Sequence, residues 1–150
     1  MSDLFVRFDA PFTERQVVKL RADLLVWMES LEAPGEAGYR LMAVVDELFC
    51  NLMEHSGASW AQVKGRAAEG AAFLEMQDDG AAFDSFEASK KDYSLYLQED
   101  TDRRLGLYLI GRVARRSEYQ RIDGKVNKMT FEVPFDPPLP SGAEKFLKPK

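Results

Sequence analysis

Cysteine and histidine are nearly missing from this chain, with one of each in 150 residues. A lone cysteine has no partner for an internal disulfide, so a reducing compartment is expected. One histidine with one cysteine cannot furnish a Cys/His zinc cluster. Long apolar runs are missing too. None approaches the roughly 18 residues of a membrane span, and residues 1–10 carry charges where a secretory signal would be apolar. A basic block is also absent: 20 Lys and Arg stand against 25 Asp and Glu, for a net charge of −5. That balance argues against nucleic acid as the ligand. Neither an internal repeat nor a low-complexity tract is present. What remains is an ordinary globular mix, 45% hydrophobic and 30% charged, at a length that suits one domain. The expectation is an acidic, cytoplasmic single domain with neither membrane nor nucleic acid as its partner.

The order of local signals is β-α-α-β-β-loop-α-β-β. Residues 4–8 are strand-like and are closed by the turn residues Asp9 to Pro11. Thr13 and Gln16 stand at capping-box spacing, and Val17, Leu20, Leu24, Trp27, Met28 and Leu31 follow at helical spacing. Ala33-Pro34-Gly35 breaks that helix. A second helix is predicted over about residues 38–55, with Leu41, Val44, Val45, Leu48, Phe49 and Leu52 on one face and Gly57 beyond its end. Residues 60–66 and 71–77 read as a hairpin around Glu69-Gly70. Residues 118–122 and 128–133 read as a second hairpin around Asp123-Gly124. Between the hairpins lie a polar loop, with Tyr93, Leu95, Tyr96 and Leu97 at its middle, and a third predicted helix over 105–114. Helices without alternating parallel strands imply an α+β class, with one mixed or antiparallel sheet carrying its helices on one face.

Three groups of residues can carry chemistry. Glu47, Asn51 and His55 are spaced i, i+4, i+8, and each step of four turns a helix by only about 40°, so they form one polar stripe. A carboxylate can take a proton from a hydroxyl or a water, and a carboxamide oxygen is a hard ligand suited to Mg²⁺. The same pattern also fits a plain solvated helix face. Asp78 and Gly80 follow a strand directly. There an aspartate can accept from an exocyclic amine while glycine lets a flat ligand come close, although Asp-Gly also marks an ordinary turn. Gly106 and Leu107 open the third helix, whose first N–H groups can face phosphate, with Arg103 and Arg104 beside them.

Taken together and in this order, the three groups resemble the motifs of the Bergerat-fold (GHKL) ATP-binding domain. Closer still, the chain resembles the small stand-alone anti-sigma-factor serine kinases of bacterial partner-switching systems. Asp46-Glu47-Leu48-Phe49-Cys50-Asn51-Leu52-Met53-Glu54-His55 is similar to the family's N box. Asp78-Asp79-Gly80-Ala81-Ala82-Phe83-Asp84 is similar to its next box, through to the Phe83-Asp84 pair. Leu105-Gly106-Leu107-Tyr108-Leu109-Ile110 is similar to the end of the glycine-rich box. The resemblance spans about residues 10–134 and implies a two-layer sandwich of mostly antiparallel sheet and helices, with residues 1–134 as the ATPase domain; the Pro- and Phe-rich end beyond it reads as an extended tail over 135–150. It implies ATP and Mg²⁺ as cofactors and Glu47 as the general base toward a Ser or Thr hydroxyl. Asn51 would be the Mg²⁺ ligand, Asp78 the acceptor of the adenine amine, and Gly80 part of the base pocket. His55 would line the site or cap the helix end. Phe83, Arg104, Gly106 and Leu107 would complete the nucleotide-binding set. The implied partners are a STAS-domain anti-anti-sigma protein and a sigma factor, and homodimers are common in the family. A chain this short has no room for a phosphoacceptor-histidine domain, so a sensor histidine kinase is not expected.

The chain departs from the family in the glycine-rich box. Asp102, Arg103 and Arg104 occupy positions where glycines are usual, which leaves fewer backbone N–H groups free to wrap phosphate. Two arginines can replace that contact by charge or can block it. The alternative function is therefore a binding module that sequesters a regulatory partner with little or no nucleotide dependence, or a switch kinase that binds no sigma factor.

Overall fold

A computed structural model of the chain describes residues 3–84 and 114–135, without the side chains of residues 55 and 56. The elements are β1 (Leu4–Asp9), α1 (Glu14–Ser30), α2 (Gly35–Asn51), a π-helical turn (Leu52–Ser56), β2 (Trp60–Ala68), β3 (Ala71–Asp78), β4 (Arg115–Ile122) and β5 (Val126–Pro134). The strands form one sheet in the order β1-β2-β3-β5-β4, and every neighbouring pair is antiparallel. The expected α+β arrangement of one sheet and packed helices is what the chain adopts.

Local chemistry explains where each helix begins. The Thr13 hydroxyl accepts from the Gln16 N–H at 3.4 Å, and the Gln16 side chain accepts from the Thr13 N–H at 2.8 Å, which closes the expected capping box. Helix α2 starts at Gly35, earlier than the expected residue 38. Pro34 is its N-cap, with a φ of −59° that suits a helix entry. The apolar periodicity that locates this helix begins only at Leu41, so the first turn carries no sequence signal of its own. The strands are likewise longer than expected. Strand β4 takes in Arg115 to Ser117 through a bulge between Arg115 and Glu118, and β5 reaches back to Val126. Most β4 residues are exposed, so no burial alternation marks its first half.

Strand alternation builds the core. Val6, Phe8, Ala61, Val63, Ala72, Leu74, Met76, Met129, Phe131 and Val133 turn to one face of the sheet and are buried there. Against them pack Val17, Leu20, Leu24, Trp27 and Met28 of α1 and Leu41, Val44, Val45, Leu48 and Phe49 of α2. The Phe49 ring meets Phe8 and Phe12 edge-on, at centroid distances of 5.6 and 5.9 Å. Arg21 Nε donates to both carboxylate oxygens of Asp46 at 2.9 and 3.0 Å, which ties α1 to α2. Arg40 donates to the carbonyls of Pro134 and Phe135 and so fixes the exit of β5 to α2.

Strands β3 and β4 are both antiparallel to β5 and therefore run the same way. Strand β3 therefore ends, and β4 begins, at opposite ends of the sheet. The predicted loop with Tyr93 to Leu97, the third helix over 105–114 for all but its last residue, and the tail beyond 135 lie outside the described residues. Among the described residues no helix is long and apolar enough to cross a membrane.

The contact between α1 and β2 is set by a missing side chain. A Cβ on Gly65 would stand 2.7 Å from Cη2 and 2.9 Å from Cζ2 of the buried Trp27 ring. The ring is wedged in the core and cannot swing away cheaply. Gly65→Ala is expected to lose about 1–3 kcal/mol of stability by overpacking. Urea unfolding followed by Trp fluorescence checks this, and an unchanged midpoint would show that Trp27 has room to move.

Candidate functional site

Antiparallel pairing brings three distant pieces of chain to one end of the sheet. Helix α2 runs into the π-helical turn and then, through Gly57 to Ser59, into the start of β2. The start of β2 pairs with the end of β3, where Ala61 lies opposite Asp78. Asp78 in turn lies opposite Asn127, beside the β4–β5 turn. The C-terminal part of α2, the Asp78 to Gly80 turn and the tip of the β4–β5 hairpin therefore share an end of the fold.

On α2, Glu47 is 5% and Asn51 4% exposed. A solvated helix face does not bury a carboxylate and a carboxamide one turn apart. Two polar groups sunk there are costly unless they are satisfied, so their burial is a structural commitment. The α-helix ends at Asn51 and continues as the single π-helical turn, which Gly57 closes with a left-handed φ of 62°. Isolated π turns of this kind occur often beside functional residues. The expected stripe from Glu47 to His55 assumes α geometry throughout. That holds as far as Asn51, and the His55 side chain lies outside the described residues.

Asp78 is 3% exposed and faces the helices from the end of β3. Its Oδ1 accepts from the Gly80 N–H at 2.9 Å and from Asn127 Nδ2 at 3.0 Å. Among the described residues nothing is bonded to Oδ2, so one carboxylate oxygen stays available to a donor. Burial pushes the Asp78 carboxyl above its ordinary range. The bonds from Asn127 and Gly80 and the charge of Arg121 pull it down without cancelling that effect.

Asn127 is 2% exposed and fully engaged. Its amide N–H₂ donates to Asp78 Oδ1 and, at 2.8 Å, to the Ala81 carbonyl. Its amide oxygen accepts from the Tyr119 hydroxyl at 2.6 Å and from Arg121 Nη1 at 3.0 Å. Arginine only donates and a carbonyl only accepts, so the amide can sit one way round. Arg121 also donates to the Gly80 carbonyl at 2.7 Å and to the Gly124 carbonyl at 3.0 Å. Gly80 is buried, and both its N–H and its carbonyl are held.

The neighbouring carboxylate does different work. Asp79 Oδ1 accepts from the backbone N–H groups of Ser59 and Trp60 at 2.7 and 3.0 Å, and Oδ2 accepts from the Ser59 hydroxyl. Burial is the largest single influence on Asp79 and pushes it up, but these bonds outweigh it and hold the carboxyl below its ordinary value. Asp79 thus stays ionised and pins the start of β2 to the end of β3.

Of the residues singled out from sequence, Glu47, Asn51, Asp78 and Gly80 are all buried at or beside this end, and Phe83 is half-buried just past the turn. Arg104, Gly106 and Leu107 lie outside the described residues. The sequence reading missed Asn127, Arg121 and Tyr119. One signal for Asn127 was present: it is a polar residue at an inward position of a strand whose next inward residues are Met129, Phe131 and Val133. Starting the strand at residue 128 removed it from view.

Comparison with known proteins places the fold. A family model described as the histidine kinase-like ATPase domain matches residues 10–132. No curated protein matches the chain. Among solved structures, the chain is similar to the RsbU and RsbW domains of Rv1364c from Mycobacterium tuberculosis, with a TM-score of 0.63, 15% identity and 93% of this chain covered. It spans only 34% of that protein's chain. It is also similar to the SiaB–SiaC complex from Pseudomonas aeruginosa, with a TM-score of 0.61, 15% identity, and 85% of this chain and 88% of that chain covered. Likeness at this identity carries the fold alone. With the family match over residues 10–132, the five-stranded antiparallel sheet and the two helices packed on it, this chain belongs to the histidine kinase-like ATPase domain family.

Proposed function

We propose that this protein is an ATP-dependent serine/threonine protein kinase of the partner-switching type, working in the cytoplasm. In this reading it phosphorylates a STAS-domain antagonist and, in the alternate state, holds a regulator such as a sigma factor. The observation that carries the reading is the burial of Glu47 and Asn51 on α2 at the end of the sheet that also holds Asp78. The partner assignment draws on the motif resemblance. It is supported by one structural neighbour having been solved as a complex of two proteins and the other as an RsbW domain joined to an RsbU domain.

The residues fit an adenine nucleotide with Mg²⁺. Asp78 Oδ2 is the acceptor left for an exocyclic amine, and Gly80 brings backbone rather than side chain to the base. Asn51 supplies a hard carboxamide oxygen to the metal. Bound Mg²⁺ supplies neutralisation of the phosphate charge. Glu47 holds the proton balance: its carboxylate takes the proton of the substrate Ser or Thr hydroxyl as that oxygen bonds to the γ-phosphorus and the bond to the ADP oxygen breaks. Phosphoryl transfer asks for little further covalent help, so the rest of the site's work is positioning.

Two predictions follow from these roles. Glu47→Gln keeps size and hydrogen-bonding capacity but removes the base. It is expected to lower phosphate transfer to a STAS substrate by about a hundredfold or more while Mg-ADP affinity in titration calorimetry stays within about threefold. Transfer at the normal rate would remove Glu47 from the role of base. No binding of Mg-ADP by the unaltered protein would instead favour a nucleotide-independent binding module.

Asp78→Asn keeps an oxygen for Gly80 and Asn127 but sets an N–H₂ group against the incoming amine. Mg-ADP affinity is expected to fall about tenfold or more. Stability should move the other way. The Asp78 pKa is raised on folding, so its contribution to stability is full below the ordinary value of 3.8 and is lost as pH rises through the folded value. The neutral variant escapes that loss. It is expected to be at least as stable as the unaltered protein near pH 7, with the advantage vanishing in acid, as thermal melts across that range will show.

A further inference from the structure

We propose that Asn127 is a positioning residue for base recognition. In this proposal Tyr119 and Arg121 lock the Asn127 amide, and the amide holds Asp78 by Oδ1 so that Oδ2 alone meets the base. The inference rests on the reading of Asp78 as the adenine acceptor and adds the device that makes its selection sharp.

The geometry leaves the carboxylate no freedom. A lone aspartate at a strand end can rotate its carboxylate and can present either oxygen. When buried it can also take up a proton and become a donor. Here Oδ1 is held from two directions, by the Gly80 N–H at 2.9 Å and by Asn127 Nδ2 at 3.0 Å. Asn127 cannot reverse its amide, because Arg121 Nη1 donates to its oxygen at 3.0 Å and the Ala81 carbonyl takes its second N–H at 2.8 Å. Arg121 is fixed in turn on the carbonyls of Gly80 and Gly124. A donor that cannot turn away favours an ionised Oδ1, and an ionised carboxylate only accepts. An adenine presents an amine to such a group and is bound. A guanine presents a carbonyl at the corresponding place, and two acceptors repel. Free of the Asn127 clamp, the carboxyl can rotate or take a proton and donate to that carbonyl. Selection then weakens while overall binding persists.

A merely structural Asn127 would behave differently. Its loss would lower affinity for every nucleotide alike, along with the melting temperature. The preference between two bases separates the two cases. The test is calorimetric titration of the full chain with Mg-ADP and with Mg-GDP, for the unaltered protein and for Asn127→Ala, Arg121→Gln and Asp78→Ala, with a melting curve for each.

The expected result is a strong preference for ADP in the unaltered protein. Asn127→Ala should reduce the ADP-to-GDP affinity ratio by about tenfold, and Arg121→Gln by about threefold, in line with loss of hydrogen bonds to a charged group. If Asp78→Ala abolishes the preference and a folded Asn127→Ala keeps it, the clamp is overturned and the adenine site stands. If Asp78→Ala keeps the preference, or if the unaltered protein binds neither nucleotide, the underlying site reading fails and the clamp fails with it. If Asn127→Ala does not fold, Arg121→Gln decides: its guanidinium is only partly buried, and an unchanged ratio in that variant overturns the proposal.

Discussion

Asp78 lies almost wholly buried at the end of the central strand, and the two hydrogen bonds into its Oδ1 are the contact around which that end of the fold is arranged. A buried carboxylate left unsatisfied costs about 1–3 kcal/mol or more, whereas a satisfied hydrogen bond returns a net of only about 0.5–1.5 kcal/mol. The penalty, more than the gain, dictates the surroundings. Asn127 must stand opposite Asp78 across the β3–β5 ladder, and its own oxygen must then find Tyr119 and Arg121. Each group introduced to satisfy one atom brings further atoms that need partners, and the chain of obligations closes only on backbone carbonyls.

The adjacent aspartate shows how position divides labour between identical side chains. Asp78 faces the helices and is left with a spare acceptor. Asp79 spends both oxygens on Ser59 and Trp60. Burial is the largest influence on both, yet Asp78 ends above its ordinary value and Asp79 below it, because the bonds to Asp79 win and those to Asp78 do not. One carboxylate is thereby spent on structure, and the other keeps an oxygen that no described residue engages. The Asp79 bonds also anchor the start of β2, the segment that leads from Asn51, so the α2 residues and the Asp78 turn are tied to a common frame.

Much of this was legible in the residues. Thr13 and Gln16 announce a capping box because its partners are three residues apart. Leu41 to Phe49 announce a buried helix face, and the alternation around Val63, Leu74 and Phe131 announces strands, because both periods are local properties of the backbone. The Glu47–Asn51 spacing and the Asp78-Gly80 pair singled out residues that the fold brings to one end of the sheet. What the residues did not disclose was that the polar stripe is buried. A stripe of Glu and Asn looks solvated in isolation, and only the sheet that α2 packs on decides otherwise. The early start of α2 and the long β4 are not legible for a related reason: a first turn whose one apolar side chain is Ala37, between glycines and a glutamate, and a mostly exposed strand have no period to read.

The amino-acid sequence by itself determined the kind and order of the five strands and two packed helices among the described residues, the faces they would bury, and the polar residue types on offer. These follow from interactions within a few residues. Tertiary structure alone decided which of those residues meet. Asp78 and Asn127 are far apart in the chain, and they pair because antiparallel register places them opposite each other. A shift of one residue would turn Asn127 to the outer face and leave the carboxylate bare. Register is settled by the summed burial of the whole ladder against the helices, a cooperative quantity that no local stretch of sequence contains.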